Sequence, residues 1–313
     1  MFDSHVHLQD PRFDTCRNAV IAAAIAAGVR GACCCGTAPK DWEAVAVLAE
    51  GGRWRGAGGE CRVSGVGWRA SENEEQRSET APGGFPRSPF FILPAFGVHP
   101  WYADPLPADW MERLESLLAL HPEAPVGEIG LDGIRAFPSR EPQRQVLCAQ
   151  LELAIRLRRP VVLHGARAWG ELTETLRPFA PRLPGFVGHA FGGSAEVLRE
   201  WVALGGFLSF AGTVCNPMAR RIRAAAVAAP ADRLLIETDA PDLKPGEQKT
   251  GDRSRETGDR SLEPKDGIPG EINHPANLPL VARAVAQLRT VSEAEIALLT
   301  RVNAGHFFGF VSG

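Results

Sequence analysis

Short apolar runs recur along this chain, and most are followed by a longer segment whose apolar residues repeat with helical spacing. Short runs of this kind predict buried strands, and the segments between them predict amphipathic helices. The predicted strands cover residues 2–8, 29–36, 91–98, 125–131, 160–164, 185–190, 206–210 and 233–238. The predicted helices cover residues 15–27, 41–50, 108–120, 141–158, 169–177, 195–204, 218–228, 276–289 and 292–300.

The alternation of strand and helix predicts an α/β fold with parallel strands joined by right-handed crossovers. Strand–helix units that recur along a chain of 313 residues suit a single (β/α)8 TIM barrel. An open, doubly wound sheet is the alternative. It would place the polar residues at the strand ends, described below, too far apart to act together.

Two stretches interrupt the pattern, residues 51–90 and residues 244–271. The first is rich in Gly, Arg, Ser and Glu, and the second contains the sequence TGDRS twice. Because neither shows regular periodicity, both are predicted to be flexible loop insertions rather than domains. The second insertion follows the last predicted strand, so a lid over the mouth of the barrel is an alternative interpretation.

The composition is that of an ordinary globular protein, with 44% hydrophobic and 23% charged residues. The formal net charge of -3 argues against a protein that holds nucleic acid through a broad basic surface. The first residues show no secretion signal, and no apolar stretch approaches the length that spans a bilayer. The seven cysteines show no paired spacing, so we expect a reducing, cytoplasmic setting and no membrane partner.

The chemistry lies in histidine and carboxylate side chains at the ends of the predicted strands. His5 and His7 are two residues apart on the first strand, which places both imidazoles on one face. Glu128 stands in the apolar sequence PVGEIGL, where an unpaired carboxylate would be costly to bury. His164, His189 and Asp239 each end a later apolar strand.

Active sites of such barrels lie at the carboxyl ends of the strands, where all six residues fall. A single strand histidine is more often a packing residue, but several histidines with acids predict a site for two divalent metal ions. In this interpretation Glu128 bridges the two ions and Asp239 acts as the general base toward an activated water. Glu128 and Asp239 are therefore the predicted catalytic residues.

Other residues near the predicted mouth are candidates for substrate contacts. His99, at the end of the third strand, is predicted to contact a substrate phosphate rather than a metal. Arg167 follows a ligand strand, and its planar guanidinium suits a phosphate. Trp101 is equally suited to stacking on a base and to packing. His121 follows a helix in a polar turn and is predicted to lie on the surface.

Taken together, the motifs resemble those of the TatD family of metal-dependent deoxyribonucleases, within the amidohydrolase-like barrels. The resemblance covers nearly the whole chain outside the two insertions. It is carried by GVHPW at 97–101, GEIGLD at 127–132, GHAFGGS at 188–194, ETDAP at 237–241, PANLP at 275–279 and NAGHFFG at 303–309.

The resemblance implies that the same six residues bind two divalent cations (Mg²⁺, Mn²⁺ or Zn²⁺). It also implies hydrolysis of phosphodiester bonds in DNA, typically from a 3′ end. The expected partner is DNA, as ends or single strands, and the expected state is a monomer.

The chain departs from the family pattern at three places that concern the substrate. The family commonly has an aromatic residue soon after GLD, whereas Gly133, Ile134 and Arg135 follow here. Gly165, Ala166 and Arg167 replace the usual small residue, Arg and Asp after His164, and His274 stands where a Glu usually precedes Pro.

Two other functions fit the same residues. A two-metal ester or amide hydrolase, such as a D-aminoacyl-tRNA deacylase, keeps the metal site and changes the bond that is cleaved. A barrel that has lost activity and acts as a binding module is the third hypothesis. The presence of all six ligands argues against it.

Overall fold

The computed structural model of the chain describes residues 1–51, 62–63, 66–67, 90–246, 268 and 272–310. Its strands are β1 (Asp3–Val6), β2 (Gly31–Cys35), β3 (Arg62–Val63), β4 (Val66–Gly67), β5 (Phe91–Ala95), β6 (Val126–Gly130), β7 (Val161–His164), β8 (Phe186–Gly188), β9 (Phe207–Phe210) and β10 (Leu234–Ile236). Its α-helices are α1 (Arg17–Ala26), α2 (Trp42–Gly51), α3 (Trp110–Leu120), α4 (Arg140–Leu157), α5 (Trp169–Leu176), α6 (Ala195–Ala203), α7 (Arg220–Ala228), α8 (Leu278–Arg289) and α9 (Glu293–Phe308). None of these helices has the length and apolar character needed to cross a membrane.

The eight longer strands form two parallel sheets, in the orders β1-β2-β5 and β10-β9-β8-β7-β6. An isolated parallel bridge between Phe96 and Val126 joins the first sheet to the second after β5. At the opposite edges, the Asp239 N–H donates to the His5 carbonyl at 3.0 Å and the His7 N–H donates to the Ala240 carbonyl at 2.8 Å. The predicted (β/α)8 barrel is confirmed.

Each of the eight predicted strands contains one observed strand, and each predicted helix overlaps an observed one. One predicted boundary is wrong, because the last helix does not end at residue 300 but continues to Phe308. It ends at Gly309, whose φ of 77° terminates the helix in the left-handed region that glycine adopts without strain.

The insertions are described only in small part. Within the first, β3 and β4 pair as antiparallel strands of two residues each. Within the second, the side chain of Ile268 is buried. The remainder of both lies outside the described residues, so their flexibility and the lid hypothesis stay predictions.

The side chains of the parallel strands alternate between two apolar layers. Along β2, Cys34 packs in the larger layer, which also contains Trp42 from α2. Cys33 and Cys35 pack in a second, smaller cluster together with residues such as Phe307 of α9. All three adjacent cysteines are buried, as expected for small apolar strand residues.

Candidate metal centre

The barrel brings together all six predicted metal ligands. They come from β1, β6 and β7 and from the short segments that follow β1, β8 and β10. All therefore reach the same mouth from the carboxyl ends of parallel strands. The residues are His5, His7, Glu128, His164, His189 and Asp239, and His99 joins them from the segment after β5.

Glu128 lies at the centre of the cluster, and its two carboxylate oxygens face different histidines. Its Oε2 lies 3.2 Å from His5 Nε2 and 3.4 Å from His7 Nε2. Its Oε1 lies 2.8 Å from both His164 Nδ1 and His189 Nε2. The side chain is only 2% exposed. We call the group of His5, His7 and Asp239 the HxH side and the group of His164, His189 and His99 the second side.

Asp239 completes the HxH side. Its Oδ1 lies 3.6 Å from His7 Nε2 and 3.8 Å from His5 Nε2. The residue has a φ of 54°, in the left-handed region, at a cost of roughly 1 kcal/mol for a residue other than glycine. Its backbone N–H is fixed by the His5 carbonyl. The strained backbone of Asp239 thus places its carboxylate within reach of the imidazoles of His5 and His7.

The two imidazoles of the HxH side are oriented by Cys35 at the end of β2. The Nδ1–H of His7 faces the Cys35 carbonyl at 2.8 Å, where it can only donate. His5 Nδ1 lies 3.4 Å from the Cys35 sulfur. These contacts leave the Nε2 atoms of both rings directed at Glu128. Nε2 lone pairs held in this way are suited to a cation.

The two main imidazoles of the second side are held by carboxylates instead. Asp132 Oδ2 lies 2.9 Å from His164 Nε2, and Glu237 Oε1 lies 3.3 Å from His189 Nδ1. Asp132 Oδ2 also accepts the Trp101 indole N–H at 2.9 Å, and Glu237 Oε1 accepts the Ala190 N–H at 2.6 Å. Both carboxylates are buried. Such backing fixes the ring orientation and raises the basicity of the nitrogen that faces the site.

The pKa shifts of Glu128 and His189 follow from the charged groups that surround them. Burial alone would raise the pKa of Glu128, but the imidazoles of His189, His99 and His5 outweigh it and hold the pKa well below its usual range. Burial alone would lower the pKa of His189, but Glu128 and Glu237 outweigh it and raise the pKa well above the ordinary value. The buried carboxylates and the imidazoles therefore stabilise each other's charged forms.

His99 differs from the other histidines of the cluster. The Trp101 backbone N–H donates to His99 Nδ1 at 3.1 Å, so the neutral ring carries its proton on Nε2. Burial lowers the pKa of His99 to about 4, which keeps the ring neutral. The Nε2–H lies 3.4 Å from Glu128 Oε1. In this tautomer the Nε2 of His99 faces Glu128 as a hydrogen-bond donor.

Among the residues that the structure describes, three sets of side chains have ligand atoms within 4.8 Å of one another: His5, His7 and Glu128; His99, Glu128 and His164; His5, His189 and Glu237. Imidazole nitrogens combined with carboxylate oxygens suit divalent ions such as Zn²⁺ and Mn²⁺. The residues present therefore fit divalent metal binding around Glu128.

Arg167 is not brought onto the cluster. It lies exposed in the segment after β7, and its guanidinium makes no hydrogen bond or ion pair with any residue that the structure describes. A role for it in substrate binding stays a prediction. The expectation for His121 is wrong, because it is buried against Phe96 with 5.3 Å between the ring centroids.

Sequence reasoning missed Asp132 and Glu237 as functional residues. Each nevertheless carried the signal that identified Glu128, a carboxylate in or directly after an apolar strand. Asp132 closes the GEIGLD motif and Glu237 opens the ETDAP motif. Their partners, the distal nitrogens of His164 and His189, become visible only in the folded barrel.

The chain is similar to known proteins over nearly its whole length. Residues 2–309 match the family model described as TatD related DNase. A protein named 3′-5′ ssDNA/RNA exonuclease TatD from Pantoea vagans is 30% identical over 313 residues, which cover 98% of this chain and 99% of the relative. The protein of the same name from Escherichia coli K12 is 30% identical over 310 residues, 99% of each chain.

Solved structures show the same architecture. The TatD homologue YjjV from Escherichia coli K12 has a TM-score of 0.75 at 27% identity, covering 99% of this chain and 98% of that one. A hydrolase of the TatD family from Entamoeba histolytica also has a TM-score of 0.75, at 17% identity, with 98% and 97% covered. The second comparison supports the fold alone.

Proposed function

Because this chain belongs to the TatD-related DNase family, we propose that it is a metal-dependent 3′–5′ exonuclease acting on single-stranded or frayed DNA ends. The observation that carries this proposal is the placement of Glu128, with one carboxylate oxygen toward each group of histidines. The relatives named above are called ssDNA/RNA exonucleases, so RNA is a further substrate to test.

We propose that the site binds two divalent cations, one on each side of Glu128. His5, His7 and Asp239 would hold the first, His164 and His189 would hold the second, and Glu128 would bridge them. The bound cations would supply Lewis acidity toward the phosphate and lower the pKa of water in the site. Mg²⁺, Mn²⁺ and Zn²⁺ all remain candidates, because the histidines favour Zn²⁺ or Mn²⁺ whereas phosphoryl transfer commonly uses Mg²⁺.

The chain's own groups would handle the protons and position the phosphate. Asp239 would accept the proton of the attacking water, since its carboxylate faces the site. Burial alone would raise the pKa of Asp239, but the hydrogen bond with His7 outweighs burial and lowers that pKa. His99 would donate its Nε2–H to a phosphate oxygen. Arg167, at the rim, would contact a second phosphate. The water oxygen would bond to the phosphorus as the bond from phosphorus to the 3′ oxygen of the preceding nucleotide breaks. That oxygen would leave as a hydroxyl after taking up the proton from Asp239 or from water.

The direct test is digestion of oligodeoxynucleotides labelled at the 5′ or the 3′ end, with Mg²⁺, Mn²⁺ or Zn²⁺ added to metal-stripped protein. We expect the 3′ label to be released first and the 5′-labelled strand to shorten progressively. An aminoacylated tRNA is assayed in parallel. Hydrolysis of that ester without any cleavage of DNA would overturn the proposal in favour of the deacylase alternative.

The matched control is Asp242→Asn beside Asp239→Asn. Asp242 is an exposed acid near the same strand end, and its carboxylate pairs with Arg12. The proposal requires that the Asp242 variant retains activity and that the Asp239 variant loses it. A cytoplasmic location and a monomeric state stay predictions from the sequence.

A further inference from the structure

An arginine is held over an aromatic ring at the edge of the metal centre. The Arg135 guanidinium lies 3.5 Å from the centroid of the Trp101 ring. Stacking uses the flat face of the guanidinium and leaves its in-plane N–H groups available. Within the part of the chain that the structure describes, those N–H groups make no hydrogen bond or ion pair, and Arg135 is exposed.

This pair is connected directly to the ligands of the second side. The Trp101 indole N–H donates to Asp132 Oδ2, the same oxygen that holds His164 Nε2. The Trp101 ring also lies edge-on to His99, with 4.7 Å between the centroids. Arg135 is therefore separated from the cluster by a single indole ring.

Asp132 also fixes the backbone that carries the arginine. Its Oδ1 accepts the N–H of Ile134 at 2.6 Å and the N–H of Arg135 at 3.0 Å. Gln143 of α4 anchors the same segment, since its Oε1 accepts the Asp132 N–H at 2.8 Å and its Nε2 donates to the Pro138 carbonyl at 2.8 Å. Hydrogen bonds thus hold the backbone that carries the Arg135 guanidinium. Less conformational entropy is therefore lost when the guanidinium binds a ligand.

We propose that Arg135 binds the phosphate of the nucleotide next to the scissile bond, with its guanidinium kept flat on Trp101. The proposal rests on the function proposed above. A guanidinium on this ring offers paired N–H donors that match phosphate oxygens. Phosphate contacts position a strand without carrying sequence information. A phosphate contact from Arg135 would therefore bind nucleotides with any base equally well. An aromatic residue in the place of Arg135 would instead stack on the base of that nucleotide.

The structure favours Arg135 over Arg167 for this role. Both are exposed, but only Arg135 has its guanidinium supported by an aromatic ring and its backbone held by a buried carboxylate. The segment around it also exposes Ile134 (60%) and Phe137 (63%). A cation among exposed apolar side chains is the kind of surface on which single strands bind.

The experiment measures binding of fluorescently labelled oligo(dT) and oligo(dA) over a range of salt concentrations, with metal chelated so that the strands stay intact. The variants are Arg135→Gln and Arg135→Lys. The control is Arg199→Gln, a charge loss at an exposed position on α6. We expect Arg135→Gln to weaken binding of both oligonucleotides roughly tenfold and to reduce the log–log salt slope by about 0.7. Arg135→Lys should keep the slope but bind less tightly than the parent.

Kinetics with metal present provide a second readout. On oligonucleotides, kcat/KM of Arg135→Gln should fall about as much as the affinity. On bis(p-nitrophenyl) phosphate, which has no neighbouring nucleotide, kcat/KM of Arg135→Gln should equal that of the parent protein. An unchanged affinity and salt slope, an equal loss in the Arg199 control, or a loss confined to one base would each overturn the assignment. If the parent protein cleaves neither substrate, the proposed function fails, and the binding series still decides the role of Arg135.

Discussion

The two sides of Glu128 present similar imidazoles but orient them in different ways. On the HxH side, the ring nitrogens that point away from the site meet the sulfur and the backbone carbonyl of Cys35. On the second side, the corresponding nitrogens of His164 and His189 meet the buried carboxylates of Asp132 and Glu237. The HxH side instead has its own carboxylate, Asp239, facing the site.

This difference indicates that the two sides of the cluster have different roles. Carboxylate-backed imidazoles are more basic and hold a cation more firmly, so we expect the second side to have the higher metal affinity. The HxH side carries the only proposed proton acceptor, Asp239. We therefore expect the second side to fix the substrate phosphate and the HxH side to activate the water.

The largest effect is expected for Glu128→Ala, because this carboxylate serves both sides. Losing the shared ligand removes several kcal/mol of transition-state stabilisation, so the rate of DNA hydrolysis should fall by roughly 10³-fold or more. The number of metal ions retained per chain, measured by elemental analysis, should fall as well. Near-normal activity with full metal content would show that the two sides work without a bridge.

Removing the proton acceptor should affect one side only. Asp239→Asn is expected to lower kcat by roughly 10³-fold, within the range for loss of a general base. The second side should keep its cation, because His164 and His189 are unchanged. Steady-state kinetics and a metal titration of the same sample test both statements. If kcat stays within a factor of a few of the Asp242→Asn control, Asp239 is not the base.

Substituting the residues that orient the ligand histidines tests whether the two sides of Glu128 really differ. Asp132→Asn and Glu237→Gln should each lower metal affinity about 10–100-fold, since they remove the charge behind a ligand histidine. Cys35→Ala leaves the carbonyl that holds His7 in place and should change the affinity less. Competition with a chelating dye measures all three. An effect of Cys35→Ala equal to that of the carboxylate variants would remove the distinction between the sides.

The smallest effect concerns pH. In the metal-free cluster the pKa of His189 is raised well above its ordinary value by Glu128 and Glu237, against the effect of burial. Metal must displace that proton, so apparent affinity should rise with pH until the raised pKa is passed, by at most about tenfold per pH unit for each proton released. Calorimetry in buffers of different ionisation enthalpy counts those protons. Affinity that is independent of pH around neutrality would contradict the imidazolium–carboxylate description.

The ligands could be predicted from the sequence because each depends on a local pattern. A polar residue at the end of an apolar strand must face the mouth of a parallel barrel, which located His164 and His189 without any knowledge of their neighbours. The contacts of Asp132 and Cys35 depend on which strands lie side by side and in which register. Gly130 pairs with His164 across β6 and β7, and Val6 pairs with Cys34 across β1 and β2.

Two predictions were wrong, for His121 and for the last helix, and the contact of Arg135 was not predicted. His121 follows a helix in a polar turn, but tertiary packing places its ring against Phe96. The last helix was predicted to end at residue 300, yet Gly305 is buried inside it and the helix continues to Phe308. The stacking of Arg135 on Trp101 joins segments that are far apart in the chain. Packing between distant segments decides the positions of His121 and Arg135, and local propensity does not reveal it.

The most direct test of the account is electron paramagnetic resonance of the metal-stripped protein during titration with Mn²⁺. A shared carboxylate between two ions predicts two Mn²⁺ per chain with an exchange-coupled spectrum, and loss of that coupling in Glu128→Gln. A single bound ion, or two ions whose spectra remain those of isolated Mn²⁺ in the parent protein, would contradict the central role given to Glu128.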